Sequence, residues 1–241
     1  MANNYFQFKQ FIIHQRYCAM KVTTDACLFG AWVARIGNGK SEVVPNRILD
    51  IGTGTGLLTL MVAQKSANVK IHGVEIDIEA AKEAGDNFNA SAWSERIKVI
   101  KEDIINYKTA ILYDFIITNP PFFLNDLKSN SSKRNLAMHS AALSLNDLLV
   151  SIKRLLKPNG QFAILLPMHR SSEFEENART LGFYIQEKVM VKQTSDHPPF
   201  RSMLLFGYDA IIATERELII KENDSYTSDF IALLKDYYLY L

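Results

Sequence analysis

Two short stretches of this 241-residue chain carry residue types that could do chemistry. The first is TNPPFF, residues 118–123. Asn119 offers a side-chain carbonyl and Pro120 a backbone carbonyl, while Pro121 removes the next N–H, which would compete for that oxygen. Proline fixes φ, so both acceptors are held before a substrate arrives. Phe122 offers a flat face for a ring or a planar amide. A planar amino group is a poor nucleophile, because its lone pair is delocalised. Two acceptors aimed at its hydrogens favour a pyramidal nitrogen, so a group transfer to that nitrogen needs mostly positioning and preorganised electrostatics. The second stretch is DIGTGTG, with Asp50 ahead of Gly52, Gly54 and Gly56. Glycines between a strand and a helix let the backbone turn tightly and let a ligand come close. A dinucleotide fingerprint would place its third glycine at position 57, which is Leu57, so the spacing is GxGxG.

The elements that must position these stretches alternate along the chain. Strands are expected at 47–51, 69–76, 97–103, 114–118 and 161–167, and helices at 57–64, 79–91, 145–157 and 171–182. The helix at 145–157 should stop at Pro158-Asn159-Gly160, and that at 171–182 has a serine cap and a glycine stop. Two β-rich runs follow, 183–193 and 202–210, with no helix between them. Alternation implies a parallel, doubly wound sheet, and the closing pair can be antiparallel because it needs no crossover helix. Sequence periodicity alone does not separate this from other α/β folds.

Composition excludes several classes. A net charge of +1 is not that of a polyelectrolyte binder. Cys18 and Cys27 form no CxxC or Cys/His cluster, so idle thiols in a reducing compartment are expected and no metal site. The N-terminus lacks a signal pattern and no apolar run is long enough to span a bilayer, which points to the cytoplasm. Residues 1–24 contain Lys9, His14, Arg16 and Lys21, with no acid before Asp25, interleaved with Phe6, Phe8, Phe11 and Tyr17. Residues 125–141 are polar and serine-rich, and basic at Lys128, Lys133 and Arg134.

The glycine loop resembles motif I of S-adenosylmethionine-dependent methyltransferases. That resemblance implies a class I methyltransferase (Rossmann-like) fold: a doubly wound, seven-stranded sheet, mostly parallel, with an antiparallel last strand. It also implies S-adenosyl-L-methionine as cofactor, Asp50 near its methionine end, and Gly52, Gly54 and Gly56 admitting its sugar and amino acid portions. Glu75, closing the second strand of that sheet, is placed to pair with the ribose hydroxyls, with Asp77 as an understudy. Asp103, after the third strand, is implied as the acceptor for the adenine amino group; a plain loop is the alternative for KED.

TNPPFF resembles the (N/D/S)PP(Y/F) motif of amino-methyltransferases, and Asn119 there also lies on the cofactor side. Such a motif serves adenine N6, guanine N2 and glutamine side chains alike. Residues 6–32, LDIGTGTGLLTLMVAQ, ITNPPFF, HPPFRSMLLF (197–206) and the tail 223–241 together resemble the bacterial tRNA1(Val) adenine-N6 methyltransferase family over nearly the whole chain. The resemblance implies methylation of adenine N6 at position 37 of a valine tRNA, in the anticodon loop. It places Lys21, Thr24 and Asp25 beside the cofactor, with a capped helix start as the alternative reading of those three. Lys9, Arg16, Lys128, Lys133 and Arg134 would meet RNA phosphates. One domain is expected: an arm over 1–24, a catalytic core over 25–215 and a C-terminal strand and helix over 216–241. No membrane and no obligate protein partner is expected. An rRNA guanine-N2 or DNA adenine-N6 enzyme is the alternative, and a catalytically silent cofactor-binding RNA module is a third reading.

Overall fold

A computed structural model describes residues 3–36, 45–121 and 143–241. The arm forms a small antiparallel hairpin, β1 (Tyr5–Gln7) and β2 (Ile12–His14), followed by α1 (Thr24–Ile36). The alternating region gives β3 (Arg47–Ile51), α2 (Leu57–Lys65), β4 (Lys70–Glu75), α3 (Ile78–Asn89), β5 (Ile97–Lys101) and β6 (Tyr113–Thr118). Then come α4 (Leu145–Leu155), β7 (Leu156–Pro167), α5 (Ser171–Thr180), β8 (Tyr184–Lys192) and β9 (Arg201–Gly207). Beyond them lie β10 (Thr214–Ile219), a minimal hairpin of β11 (Lys221–Glu222) and β12 (Ser225–Tyr226), and α6 (Ser228–Leu234).

The large sheet has eight strands in the order β10-β8-β9-β7-β6-β3-β4-β5. All neighbours are parallel except β9, which enters between β7 and β8 and runs antiparallel to both. The expected seven strands are present. β10, the expected C-terminal strand, adds an eighth at the edge, paired with β8. The expected stop at Pro158-Asn159-Gly160 is not a break between helix and strand, because β7 starts at Leu156 and passes through it. The register with β6 shifts there, and this irregularity houses the proline and glycine.

Strand side chains alternate between two cores. Ile48, Ile71, Phe115 and Ala163 face α1, α2 and α6, whereas Leu49, Val74, Ile116 and Ile164 face α4 and α5. Phe8, Phe11 and Ile13 of the arm are buried in the first core, so these aromatics are packing residues. The arm also meets the tail: Phe8 bridges Tyr238, and Lys9 N–H donates to Tyr237 O at 2.8 Å. No helix among the described residues is long and apolar enough to cross a membrane.

Candidate active site

Parallel strands β3, β4, β5, β6 and β7 all end at one edge, where an open α/β sheet presents its ligand crevice. The glycine loop leaves β3 at this edge and is pinned to β4, with Gly52 and Thr53 N–H donating to Val74 O at 2.9 and 3.1 Å. Thr53 packs so closely on β4 that a Cβ at Gly73 would lie 2.9 Å from it. Gly52, Gly54 and Gly56 all have positive φ. Their surroundings differ. A side chain on Gly52 would enter open space, whereas one on Gly56 would strike the Phe88 ring at 2.3 Å. Gly52 therefore faces open space at the sheet edge, and Gly56 serves the packing of the loop on α3.

Asp50 is fully buried beneath the loop. Its Oδ2 accepts from the hydroxyls of Thr53 (2.7 Å) and Thr59 (2.8 Å), and its Oδ1 has no partner among the described residues. Burial pushes the carboxyl up to about 6, opposed by those hydroxyls. Glu75 ends β4 with Oε2 accepting from Gly54 N–H at 2.9 Å and Oε1 from Asp77 N–H at 3.0 Å. Asp77 is committed elsewhere: its Oδ1 caps α3 by accepting from Glu79 and Ala80 N–H. Asp103 shapes the turn after β5, accepting from Ile105 N–H and from the Asn106 amide at 2.9 Å. The apolar side chains of Ile76 and Ile105 are exposed beside these acids, a combination that suits a planar heterocycle on a sugar.

Thr118 donates to Ile51 O at 2.9 Å and so ties the end of β6 to the end of β3. Asn119 and Pro120 consequently emerge next to the glycine loop. Asn119 Oδ1 is buried without a partner, and Pro120 is buried behind it. A buried, unpaired carbonyl is costly unless something is to meet it. Asn119 Oδ1 and Asp50 Oδ1 share this condition at one edge.

A family model described as the methyltransferase small domain matches residues 40–175. A protein of Dyadobacter fermentans named tRNA1(Val) (adenine(37)-N6)-methyltransferase is 43% identical, over 98% of this chain and 98% of its own. One of the same name from Tolumonas auensis is 41% identical, over 99% and 98%. The chain belongs to the tRNA1(Val) (adenine(37)-N6)-methyltransferase family. Among solved structures, a predicted O-methyltransferase of Agrobacterium tumefaciens superposes with a TM-score of 0.67 at 18% identity, covering 88% of this chain and 96% of that one. A SAM-dependent methyltransferase of Aquifex aeolicus gives a TM-score of 0.54 at 16% identity, covering 77% and 93%. These two likenesses concern the fold, which is the class I methyltransferase fold.

In this member of the family, several expected site residues are engaged within the protein. Lys21 Nζ donates to the carbonyls of Gln15, Arg16 and Cys18, so it clamps the arm. Thr24 opens α1 and is hydrogen-bonded to Tyr238. Asp25 Oδ2 accepts from Arg201 Nε at 2.7 Å. Lys9 Nζ donates to Lys235 O in the tail, beside the end of α2 remote from the glycine loop. Arg16 is exposed, with its guanidinium 5.5 Å from the centre of the Tyr17 ring. Phe122, Lys128, Lys133 and Arg134 lie outside the described residues.

Sequence reasoning missed Thr53, Thr59, Gly73, Glu83, Asn87 and Arg201. The two threonines carried a usable signal, being the hydroxyls three and nine residues after a buried strand acid. The others act across long sequence separations and left none.

Proposed function

We propose that this chain transfers the methyl group of S-adenosyl-L-methionine to N6 of adenine 37 in tRNA1(Val), the reaction for which its relatives are named. The observation that carries this reading is Asn119 Oδ1, a buried acceptor without a partner at the end of β6, beside the glycine loop. An exocyclic amine supplies the hydrogens that such an acceptor lacks; a uracil or a ribose hydroxyl does not supply two.

The residues at the edge fit the cofactor. Gly52 leaves open space for close approach, and Glu75 is held in place by Gly54 and Asp77 with lone pairs left for two ribose hydroxyls. Asp103 and the faces of Ile76 and Ile105 receive the adenine, and Asp50 supports the loop from below. When bound, S-adenosyl-L-methionine supplies a methyl group on a sulfonium sulfur, a good leaving group. Asn119 Oδ1 and Pro120 O accept the two N6 hydrogens and orient the nitrogen, and the ring of Phe122 stacks on the target base. As nitrogen forms its new bond, one of these hydrogens leaves as a proton. Neither carbonyl is a base strong enough to keep it, so it passes to water. An anticodon loop is single-stranded, so extruding its base costs less than in a duplex.

In this reading Arg16, with the basic residues Lys128, Lys133 and Arg134, meets tRNA phosphates, whereas Lys9 is spent on the tail, and affinity falls steeply with salt. The chain works as one methyltransferase domain in the cytoplasm without an obligate protein partner. Incubation with tritiated S-adenosyl-L-methionine and an unmodified tRNA1(Val) transcript, followed by nucleoside digestion, tests the reading. N6-methyladenosine at position 37 is expected, and N2-methylguanosine would refute it while leaving the fold intact.

A further inference from the structure

The arm passes over the glycine loop as a fixed strip of backbone. Glu83, on the face of α3 turned towards the arm, is only 5% exposed. Its carboxylate accepts from three successive backbone N–H groups: Arg16 (2.5 Å), Tyr17 (3.1 and 3.2 Å to its two oxygens) and Cys18 (2.9 Å). The carbonyls of the same strip are held from the other side by the Lys21 ammonium. One helical turn beyond Glu83, Asn87 donates to both His14 O and Thr55 O at 2.9 Å, and its Oδ1 accepts from His14 N–H. A single amide therefore joins the arm, α3 and the glycine loop. Cys18 Sγ consequently rests 3.4 Å from where a Cβ on Gly54 would stand, and Gly54 N–H is one of the two backbone groups that hold Glu75.

We propose that Glu83 is a positioning residue for the cofactor pocket: it fixes residues 16–18 as a wall of the glycine loop, and thereby sets the geometry of Gly54 and Glu75. The inference rests on the reading that this loop holds S-adenosyl-L-methionine. An exposed helix carboxylate would be a solubilising group; this one is buried and spends both oxygens on backbone donors, as an anion in a nest of N–H groups does. The strip also carries Tyr17, 58% exposed with Arg16 across its ring.

Labelling of the two cysteines reads the strip directly, and the KM-against-kcat split is the readout that a purely structural role would not move. Cys18 lies in the strip, and Cys27 is fully buried in α1. In Glu83→Gln, which keeps the volume but turns an amide donor towards the N–H groups, a thiol reagent should modify Cys18 about ten-fold faster or more, the scale of losing one hydrogen bond to a charged group. Cys27 should stay unmodified, showing that the fold is intact. Calorimetry should show cofactor affinity falling by a similar factor, and KM for the cofactor should rise by more than kcat falls. Lys21→Met, which frees the strip from its other side, should speed Cys18 labelling in the same way should Glu83→Gln not fold. Wild-type affinity in Glu83→Gln together with unchanged Cys18 labelling overturns the inference and leaves the cofactor reading standing. A wild-type protein that binds no S-adenosyl-L-methionine overturns both.

Discussion

Arg201 Nε donates to Asp25 Oδ2 across 2.7 Å, joining the first turn of α1 to the first residue of β9. The Asp25 side chain is mostly buried, and the carboxylate also faces the positive end of α1, which favours it. Arg201→Met should leave that carboxylate without its cation. A double-mutant cycle with Asp25→Asn should give a coupling of about 1–2 kcal/mol in denaturant unfolding, as for residues sharing one partly buried ion pair. A coupling near zero would show that the two ends are held by packing alone.

Asn119→Ala should lower kcat by roughly two to three orders of magnitude, the scale for losing a preorganised polar contact in a catalytic site. Cofactor affinity should change little, because Glu75 and the glycine loop are untouched. Near-normal turnover in a single-turnover assay removes Asn119 from the mechanism.

On the proposed reading Glu75→Ala removes an acceptor from the ribose, and it also releases Gly54 N–H. Cofactor affinity should fall by about ten-fold or more, since hydrogen bonds to a charged group are each worth about 1.5–3 kcal/mol. The methylated nucleoside should remain the same. Calorimetry showing unchanged affinity assigns the ribose to another group.

His72 is buried beside Tyr113, whose hydroxyl lies 2.8 Å from Nδ1. Burial lowers its pKa from 6.5 to about 4, helped by the positive charges of Lys98, Arg47 and Lys70. The unfolded chain therefore takes up this proton before the folded one does. The stability His72 contributes is complete above pH 6.5 and is lost as pH falls towards 4. Asp50, raised from 3.8 to about 6, acts with the opposite sign, because the folded form binds its proton first. Thermal melts between pH 7 and 4 should thus show a shallower acid loss in His72→Asn than in wild type, and a steeper one in Asp50→Asn. Parallel curves for all three proteins would contradict both assignments.

Gly56→Ala combines a positive φ of 83° with a clash against the Phe88 ring. Adding Phe88→Leu should recover the steric part. The residual loss should then be about 1–2 kcal/mol, the cost of a left-handed backbone for a residue with a Cβ. Complete recovery would mean that the loop can change its backbone at no cost.

The sheet and both motifs were legible in the sequence because each depends on local pattern. Alternating apolar runs fixed β3 to β6, and Asn119 followed from its position at a strand end. Glu83 was not legible: in EAAKEAGDNFNAS it occupies a position indistinguishable from a solvated helix acid, and only the arm, 65 residues earlier at Cys18, makes it a buried one. Asp25 was singled out, but its partner lies 176 residues away on β9. The start of β7 was misplaced because Pro158 and Gly160 read as a helix stop, whereas a register shift against β6 absorbs them inside the strand.

The bridge from Phe8 to Tyr238 closes the described chain into a ring. Synthesis on a ribosome is vectorial, so residues 8 and 9 leave the exit tunnel long before the tail residues with which they pair. Until residues 237 and 238 emerge, Phe8 has no strand partner and Lys9 N–H has no acceptor. The arm hairpin is therefore made early but is tied to the tail, at the end of α2 remote from the glycine loop, only after every strand of the large sheet has emerged.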